Sequence, residues 1–338
     1  MRYRLIVPTV ILASLAACAR PPKDSQPTEV KVGLLLPQTG SQALTGLKIR
    51  NGALLAIDEI NAAGGIGSLD GTKLRLIEAD SEGKPEVGMS ETERLINREH
   101  VSAIIGCFQS SVAIPTTALS ERYQTPYIVE NPMADVITER NLHNVFRITA
   151  KSSWMARDQI RFLQEITKKT GTPAKTVLLL FEDTDFGQST AEGQRKYARE
   201  AGLEIVGDLS YPHESPDFHA TVLKMQKLAP DVVLATSYDA DAALIRKTMA
   251  ELDYFPNVAF IGSTGGYINP SFISNVGSLA DNILTASLWN PDIKRTGVKE
   301  FYLKYKKRFG QDPVPQSALT YSSVYVLKGR PGTREIYR

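Results

Sequence analysis

The chain is short of cysteine, of net charge and of long apolar runs, and each shortage removes a class of function. Only two cysteines, Cys18 and Cys107, occur among 338 residues. With Cys18 at the end of an N-terminal apolar stretch, Cys107 has no intramolecular partner and no disulfide staples the fold. The formal charge is +2, which gives no ground for nucleic acid as a partner. No internal stretch approaches the roughly 18 continuous apolar residues of a membrane span. Two enzyme signatures are missing from the most suggestive loop, "GCFQSS" at 106–111. It lacks the second glycine of Gly-x-Ser-x-Gly and the lysine of a phosphate-binding loop. Cys107 follows an apolar run with no histidine in its segment, so it reads as a buried structural thiol.

What is present begins with a leader. "MRYRLIVPTVILASLAAC" places Arg2 and Arg4 before an apolar stretch and ends in small residues, the pattern of an export signal too short for a stable membrane helix. Its end, Leu15-Ala16-Ala17-Cys18, resembles a bacterial lipobox. That resemblance implies cleavage after Ala17, with residues 1–17 as signal peptide, and a lipid anchor on Cys18. Residues 18–29, rich in proline and polar side chains, read as a tether.

From Val30 onward short apolar runs alternate with helical patterns. "VKVGLLLP", "KLRLIEAD", "SAIIG" and "PYIVE" read as strands, and Ile49, Ala53, Ile57 and Ile60 share one helical face. The rhythm restarts after Ala150 with "TVLLLFE", "EIVGDLSY", "DVVLAT", "VAFIG" and "NILTAS". Strict alternation predicts an α/β protein with parallel sheets covered by helices on both faces. About four strands per half suggest two sandwiches rather than one closed barrel. Loops at the carboxyl ends of strands would then face one cleft. "GCFQSS" lies at such an end, where Ser110 and Ser111 are placed to cap the following helix, or to hold a carboxylate together with its free N–H groups.

The ordered series "VGLLLPQTG", "NGALLAIDEINAAGGI", "IEADSEGKP", "AIIGCFQSSVA", "VFRITA", "FEDTDFGQ" and "YPHESPDFHATVLKMQKLAPDVVLAT" resembles solute-binding proteins of ABC transporters, of the Leu/Ile/Val-binding type. The resemblance covers about Val30 to Lys328. It implies a two-lobe type I periplasmic-binding fold, with 30–149 plus 288–328 as the first lobe, 150–287 as the second and 329–338 as an irregular tail. It implies no catalysis and no cofactor. The expected partners are a small amino acid or related carboxylate and an ABC permease, with a periplasmic or cell-surface location, lipid anchorage and a monomeric state. Ser110 and Ser111 match the family's serine loop. Asn131 and Ala134 lie in the matching second loop, where a threonine common in the family is Met133. The second lobe's positions fall at Ser152, Phe186, Tyr238 and Thr264, and Thr45 joins the ligand-binding set. The aromatic positions are kept in kind; the two acids expected at Ser152 and Thr264 are absent. A buried ammonium without a carboxylate partner is costly. The implied ligand is therefore a carboxylate or amide without a clamped α-amine, such as an aromatic or keto acid, unless Glu130, Asp183, Asp185 or Asp239 replaces the missing acids.

Other constellations read blandly. "HESPDFH" fits no standard zinc spacing, and Asp217 is placed to cap the next helix. "KYKKRFG" is the solvated face of a helix whose inner face is Val298, Phe301, Tyr305 and Phe309. "DSEGKP", with Asp80 and Glu82, reads as a loop near the cleft rim. The family usually continues past "YSSVYVLK", so the chain reads as shortened, with two lobe crossings instead of three and weak stability. A ligand-sensing lipoprotein is the alternative; an exported hydrolase is disfavoured, since no Ser/His/acid set has motif support.

Overall fold

The computed structural model describes residues 29–329. The leader, Cys18, most of the tether and nearly all of the tail lie outside the described residues. The first half runs β1 (Glu29–Leu36), α1 (Ala43–Ala62), β2 (Lys73–Asp80), α2 (Pro85–Asn97), β3 (Ala103–Gly106), α3 (Ser110–Arg122), β4 (Tyr127–Val129) and β5 (Val145–Arg147). The second runs α4 (Ser152–Thr170), β6 (Thr176–Glu182), α5 (Asp185–Glu200), β7 (Glu204–Tyr211), α6 (His219–Leu228), β8 (Val232–Thr236), α7 (Asp239–Glu251), β9 (Ala259–Gly262), α8 (Pro270–Val276) and β10 (Ile283–Thr285). Helices α9 (Val298–Phe309) and α10 (Pro315–Lys328) return to the first sheet.

Every strand pair is parallel. The orders are β2-β1-β3-β4-β5 and β10-β9-β8-β6-β7. Counted from its own first strand, each sheet has the order 2-1-3-4-5, so one topology is built twice. Each half holds five strands, against the about four expected. The strand missed in the first half, β5, has three residues and an exposed Phe146, so it carries no apolar run to read.

Two-sided burial explains the sequence of the strands. In β1, Leu34 and Leu36 face Ile49, Ile57, Ile60 and Val324, whereas Leu35 faces Leu95, Ile104 and Val112. Side chains alternate across a strand, so both faces must be apolar when helices cover both. The second sheet repeats this. Leu178 and Leu180 meet Val222, Met225, Ile245 and Met249; Val177 and Leu179 meet Ile160, Leu163 and Ala191. α10 crosses α1 at Gly52, where a Cβ would lie 2.2 Å from the Ser317 carbonyl oxygen. The glycine that interrupts the α1 pattern is thus a contact point between helices. α9 buries Phe301 and Tyr305 as its spacing predicts, and Lys304 on its other side pairs with Glu59 and Glu300.

Among the described residues the chain passes between the two sheets twice, from β5 to α4 and from β10 to α9. No helix among them is long and apolar enough to cross a membrane.

Candidate ligand-binding site

In an open parallel sheet the strand ends beside the switch in strand order leave a crevice. Here two such crevices face each other and enclose one cavity of about 450 Å³, counting the part that opens to solvent. From the first lobe, Phe108 and Ser110 follow β3, Asn131 and Met133 follow β4, and Thr149 follows β5. From the second, Phe186 opens α5, Tyr238 precedes α7, and Thr264, Gly265 and Ile268 follow β9. Leu288 and the start of α10, with Pro315, Gln316 and Leu319, close the wall.

Three rings form the apolar body of the site. Tyr238 lies 5.6 Å from Phe108 and 5.5 Å from Phe186 between ring centroids, tilted in both cases, within the range of favourable aromatic pairs. Phe108 belongs to the first lobe and Phe186 and Tyr238 to the second, so the trio spans the cleft. Gly265 permits this packing: a Cβ there would sit 2.6 Å from the Ser237 carbonyl oxygen and 3.0 Å from the Phe186 ring. Burial, then the nearby Glu182 carboxylate, pushes the Tyr238 phenol well above its ordinary range.

The sequence-predicted residues divide. Ser110, Asn131, Phe186, Tyr238 and Thr264 come together on the cavity wall, whereas Thr45, Ser111, Ala134 and Ser152 do not line it. Thr45 is buried, and its hydroxyl donates to Asp239 Oδ2 across the lobes at 2.8 Å. Ser152 spends its N–H on the Met133 carbonyl and its hydroxyl on Thr190. Ser111 is half-buried. Ala134 donates its N–H to Ser110 Oγ at 3.1 Å. That bond also corrects the capping expectation. Gln109 is the residue before the helix, so Ser110 already occupies its first turn and turns its hydroxyl to the second loop. Phe108, Met133, Thr149, Leu288, Gln316 and Leu319 escaped sequence reasoning. Phe108 and Met133 sat in stretches already singled out, whereas α10 carries no local sign that it reaches the cleft.

No carboxylate or cationic side chain lines the cavity. The four candidate replacements for the absent acids are accounted for elsewhere. Glu130 is fully buried behind Asn131, and burial pushes its carboxyl up to about 8. Asp239 accepts from Thr45 and from Asn269 Nδ2 at 2.7 Å. Asp183 accepts the His213 N–H. Asp185 sits in the first turn of α5 and is not part of the wall. Two of the three departures from the family pattern meet each other instead: Thr264 Oγ1 donates to Met133 Sδ at 3.0 Å across the cleft. A hydroxyl and a thioether satisfy one another where a threonine and an acid would have faced a ligand.

The electrostatics come from the backbone. Ser110, Phe186 and Gln316 in the first turns of α3, α5 and α10, and Tyr238 at the N-cap of α7, line the cavity. Unpaired N–H groups at helix starts carry partial positive charge and favour an anion. Glu182 takes up part of that field at α5, accepting from the N–H groups of Thr184 and Gly187.

The remaining motifs serve structure. Asp80 accepts from Thr39 Oγ1 and from the backbone N–H groups of Gln38, Thr39 and Glu82. Partial burial works against its charge, but these bonds win and hold it below the usual carboxylate range. His213 Nδ1 lies 3.0 Å from Asp241, and His219 Nδ1 pairs with Asp217 at 2.5 Å. Asp217 Oδ1 also accepts the His219 N–H. No group of three or more metal-ligating side chains converges among the described residues. Cys107 is fully buried, and burial followed by Glu130 pushes its thiol well up, the opposite of a nucleophile's needs.

The periplasmic binding protein family model matches residues 29–329. The chain belongs to this family. Over 320 residues it is 32% identical to Leu/Ile/Val-binding protein homolog 7 of Brucella suis, covering 91% of this chain and 77% of that one. It superimposes with TM-score 0.79 and 25% identity on the branched-chain amino acid transporter substrate-binding protein LivJ of Streptococcus pneumoniae in complex with isoleucine, covering 89% and 83% of the two chains. A solute-binding protein of an ABC transporter from Rhodopseudomonas palustris, in complex with 3,4-dihydroxybenzoic acid, gives TM-score 0.76 at 25% identity and covers 89% and 80%. As a periplasmic binding protein with these relatives, the chain is a solute-binding component of an ABC importer and works outside the cytoplasm.

Proposed function

We propose that the two lobes close on a small carboxylate with an aromatic or other apolar body and no clamped α-amine, and that they pass it to an ABC permease. The observation that carries this reading is the neutral cavity wall, ringed by helix starts and three aromatic rings, with no acid to receive an ammonium. A buried ammonium left without a countercharge costs several kcal/mol, so amino acids are poor occupants. A carboxylate finds Ser110 and the start of α3, and a planar body finds the rings. The R. palustris protein in complex with 3,4-dihydroxybenzoic acid supports this direction, and the LivJ complex with isoleucine supports the alternative. Calorimetry with benzoate, 4-methyl-2-oxopentanoate, leucine and isoleucine tests it. Binding of either amine-free acid with no amino acid bound is expected; tight binding of the amino acids alone overturns it.

The export signal and Leu15-Ala16-Ala17-Cys18 support a lipid anchor on Cys18. Expressed in a bacterial host, the protein is expected to incorporate labelled fatty acid and to enter the detergent phase. Cys18→Ala is expected to lose both, and a fully aqueous wild type refutes the anchor.

A further inference from the structure

Three buried oxygens on the cavity wall have no hydrogen-bond partner in the protein: Asn131 Oδ1, Thr149 Oγ1 and Gln316 Oε1. Their residues are 8%, 4% and 7% exposed. A buried acceptor left unpaired is costly, and these three belong to side chains of one cavity wall, where the donors of a bound molecule would pair them.

The orientation of both amides is set from behind. Asn131 Nδ2 lies 3.1 Å from Glu130 Oε1 and 3.4 Å from Thr320 Oγ1. Thr320 gives its own proton to the Gln316 carbonyl oxygen at 3.2 Å, so it faces Asn131 as an acceptor. With the Asn131 amide nitrogen directed at Glu130 Oε1 and Thr320 Oγ1, its carbonyl oxygen is left without a partner. Gln316 Nε2 reaches the Thr264 carbonyl oxygen, which can only accept, at 3.5 Å, leaving Oε1 free in the same way. Thr149 adds a hydroxyl that can accept as well.

These oxygens are neutral, and no carboxylate shares the wall with them. They match an uncharged donor, a hydroxyl, better than an ammonium. Building on the reading of the cavity as a site for aromatic carboxylates, we infer that Asn131, Thr149 and Gln316 form a hydroxyl-recognition subsite, and that the ligand class is a ring-hydroxylated aromatic acid. A site built around a ligand hydroxyl rejects the analogue that lacks it, because its acceptors are then stranded.

Calorimetry on the purified protein with benzoate, 4-hydroxybenzoate, 3,4-dihydroxybenzoate and isoleucine tests the inference, repeated on Asn131→Leu and Gln316→Met, which keep volume and remove the acceptors. At least one hydroxylated acid is expected to bind about tenfold or more tighter than benzoate. Both variants are expected to shrink that ratio toward one, a change of selectivity that damage to the fold would not give. Equal binding of benzoate and the hydroxylated acids overturns the subsite and leaves the carboxylate reading intact. So does a parallel loss of every acid in the variants. Failure of all the aromatic acids, whether or not isoleucine binds, removes the aromatic reading of the cavity and the subsite with it.

Discussion

Thr45→Val separates a residue that touches ligand from one that holds the lobes together. Valine keeps the shape of threonine and deletes the donor. The lost bond, Thr45 Oγ1 to Asp239 Oδ2 at 2.8 Å, joins α1 of one lobe to the start of α7 of the other. Moving the lobes apart would break it. A hydrogen bond to a charged group contributes about 1.5–3 kcal/mol. Asp239 is half-buried and keeps a second donor in Asn269, so the low end applies, about 1.5 kcal/mol. That removes about tenfold from the closed population and, since ligand binds the closed form, about tenfold from affinity. Calorimetry on the wild type, Thr45→Val, Asp239→Ala and the double variant reads it. The double variant is expected to bind as Asp239→Ala does, because the latch is already gone. An affinity within twofold of wild type in Thr45→Val refutes the latch. A Thr45→Val penalty that persists in the Asp239→Ala background returns Thr45 to the ligand.

Glu130 makes stability fall with pH. Its native carboxyl, pushed up to about 8 by burial from an ordinary value of 4.5, keeps a proton that the unfolded chain releases. Stability therefore declines as pH rises from about 4.5 to about 8, by at most about 5 kcal/mol. Glu130→Gln is expected to flatten that decline and to raise the urea midpoint at pH 8; a decline unchanged in the variant refutes the assignment. His213 behaves differently in origin. Desolvation lowers its affinity for a proton, but the bond to Asp241 and neighbouring carboxylates outweigh it and raise it. Its stabilisation is full below about pH 6.5 and lost as pH rises through the native value. His213→Gln should accordingly cost more in thermal midpoint at pH 6 than at pH 9, and an equal cost at both would contradict the pairing. At Gly46 a Cβ would lie 1.8 Å from the Pro37 carbonyl oxygen. Gly46→Ala is expected to force α1 off β1 and to cost about 2 kcal/mol or more, seen as a lower melting temperature; an unchanged one refutes the close approach.

The α/β architecture was legible because each buried strand is an apolar run bounded by turns. β2 coincides with "KLRLIEAD" and β6 with "TVLLLFE". β5 was not, since pairing with β4 rather than its own side chains defines it. Ser110, Asn131, Phe186, Tyr238 and Thr264 could be reached through strand-end position and family likeness. Thr45 and Ser152 hold the right places along the chain, but in the fold their side chains are spent on Asp239 and Thr190. Gln316 could not be found at all: its role arises from α10 crossing α1 and ending beside Thr264, a relation between segments far apart in sequence.

That crossing has a consequence for how the protein is made. Among the described residues the first lobe runs from β1 to α10, with the second lobe threaded between them. Pro315, Gln316 and Leu319 supply one side of the cavity, and Thr320 sets the amide of Asn131. A nascent polypeptide that has emerged only as far as β10 owns both sheets but no sealed pocket. Solute capture is thereby deferred until α10 has been made and has crossed α1.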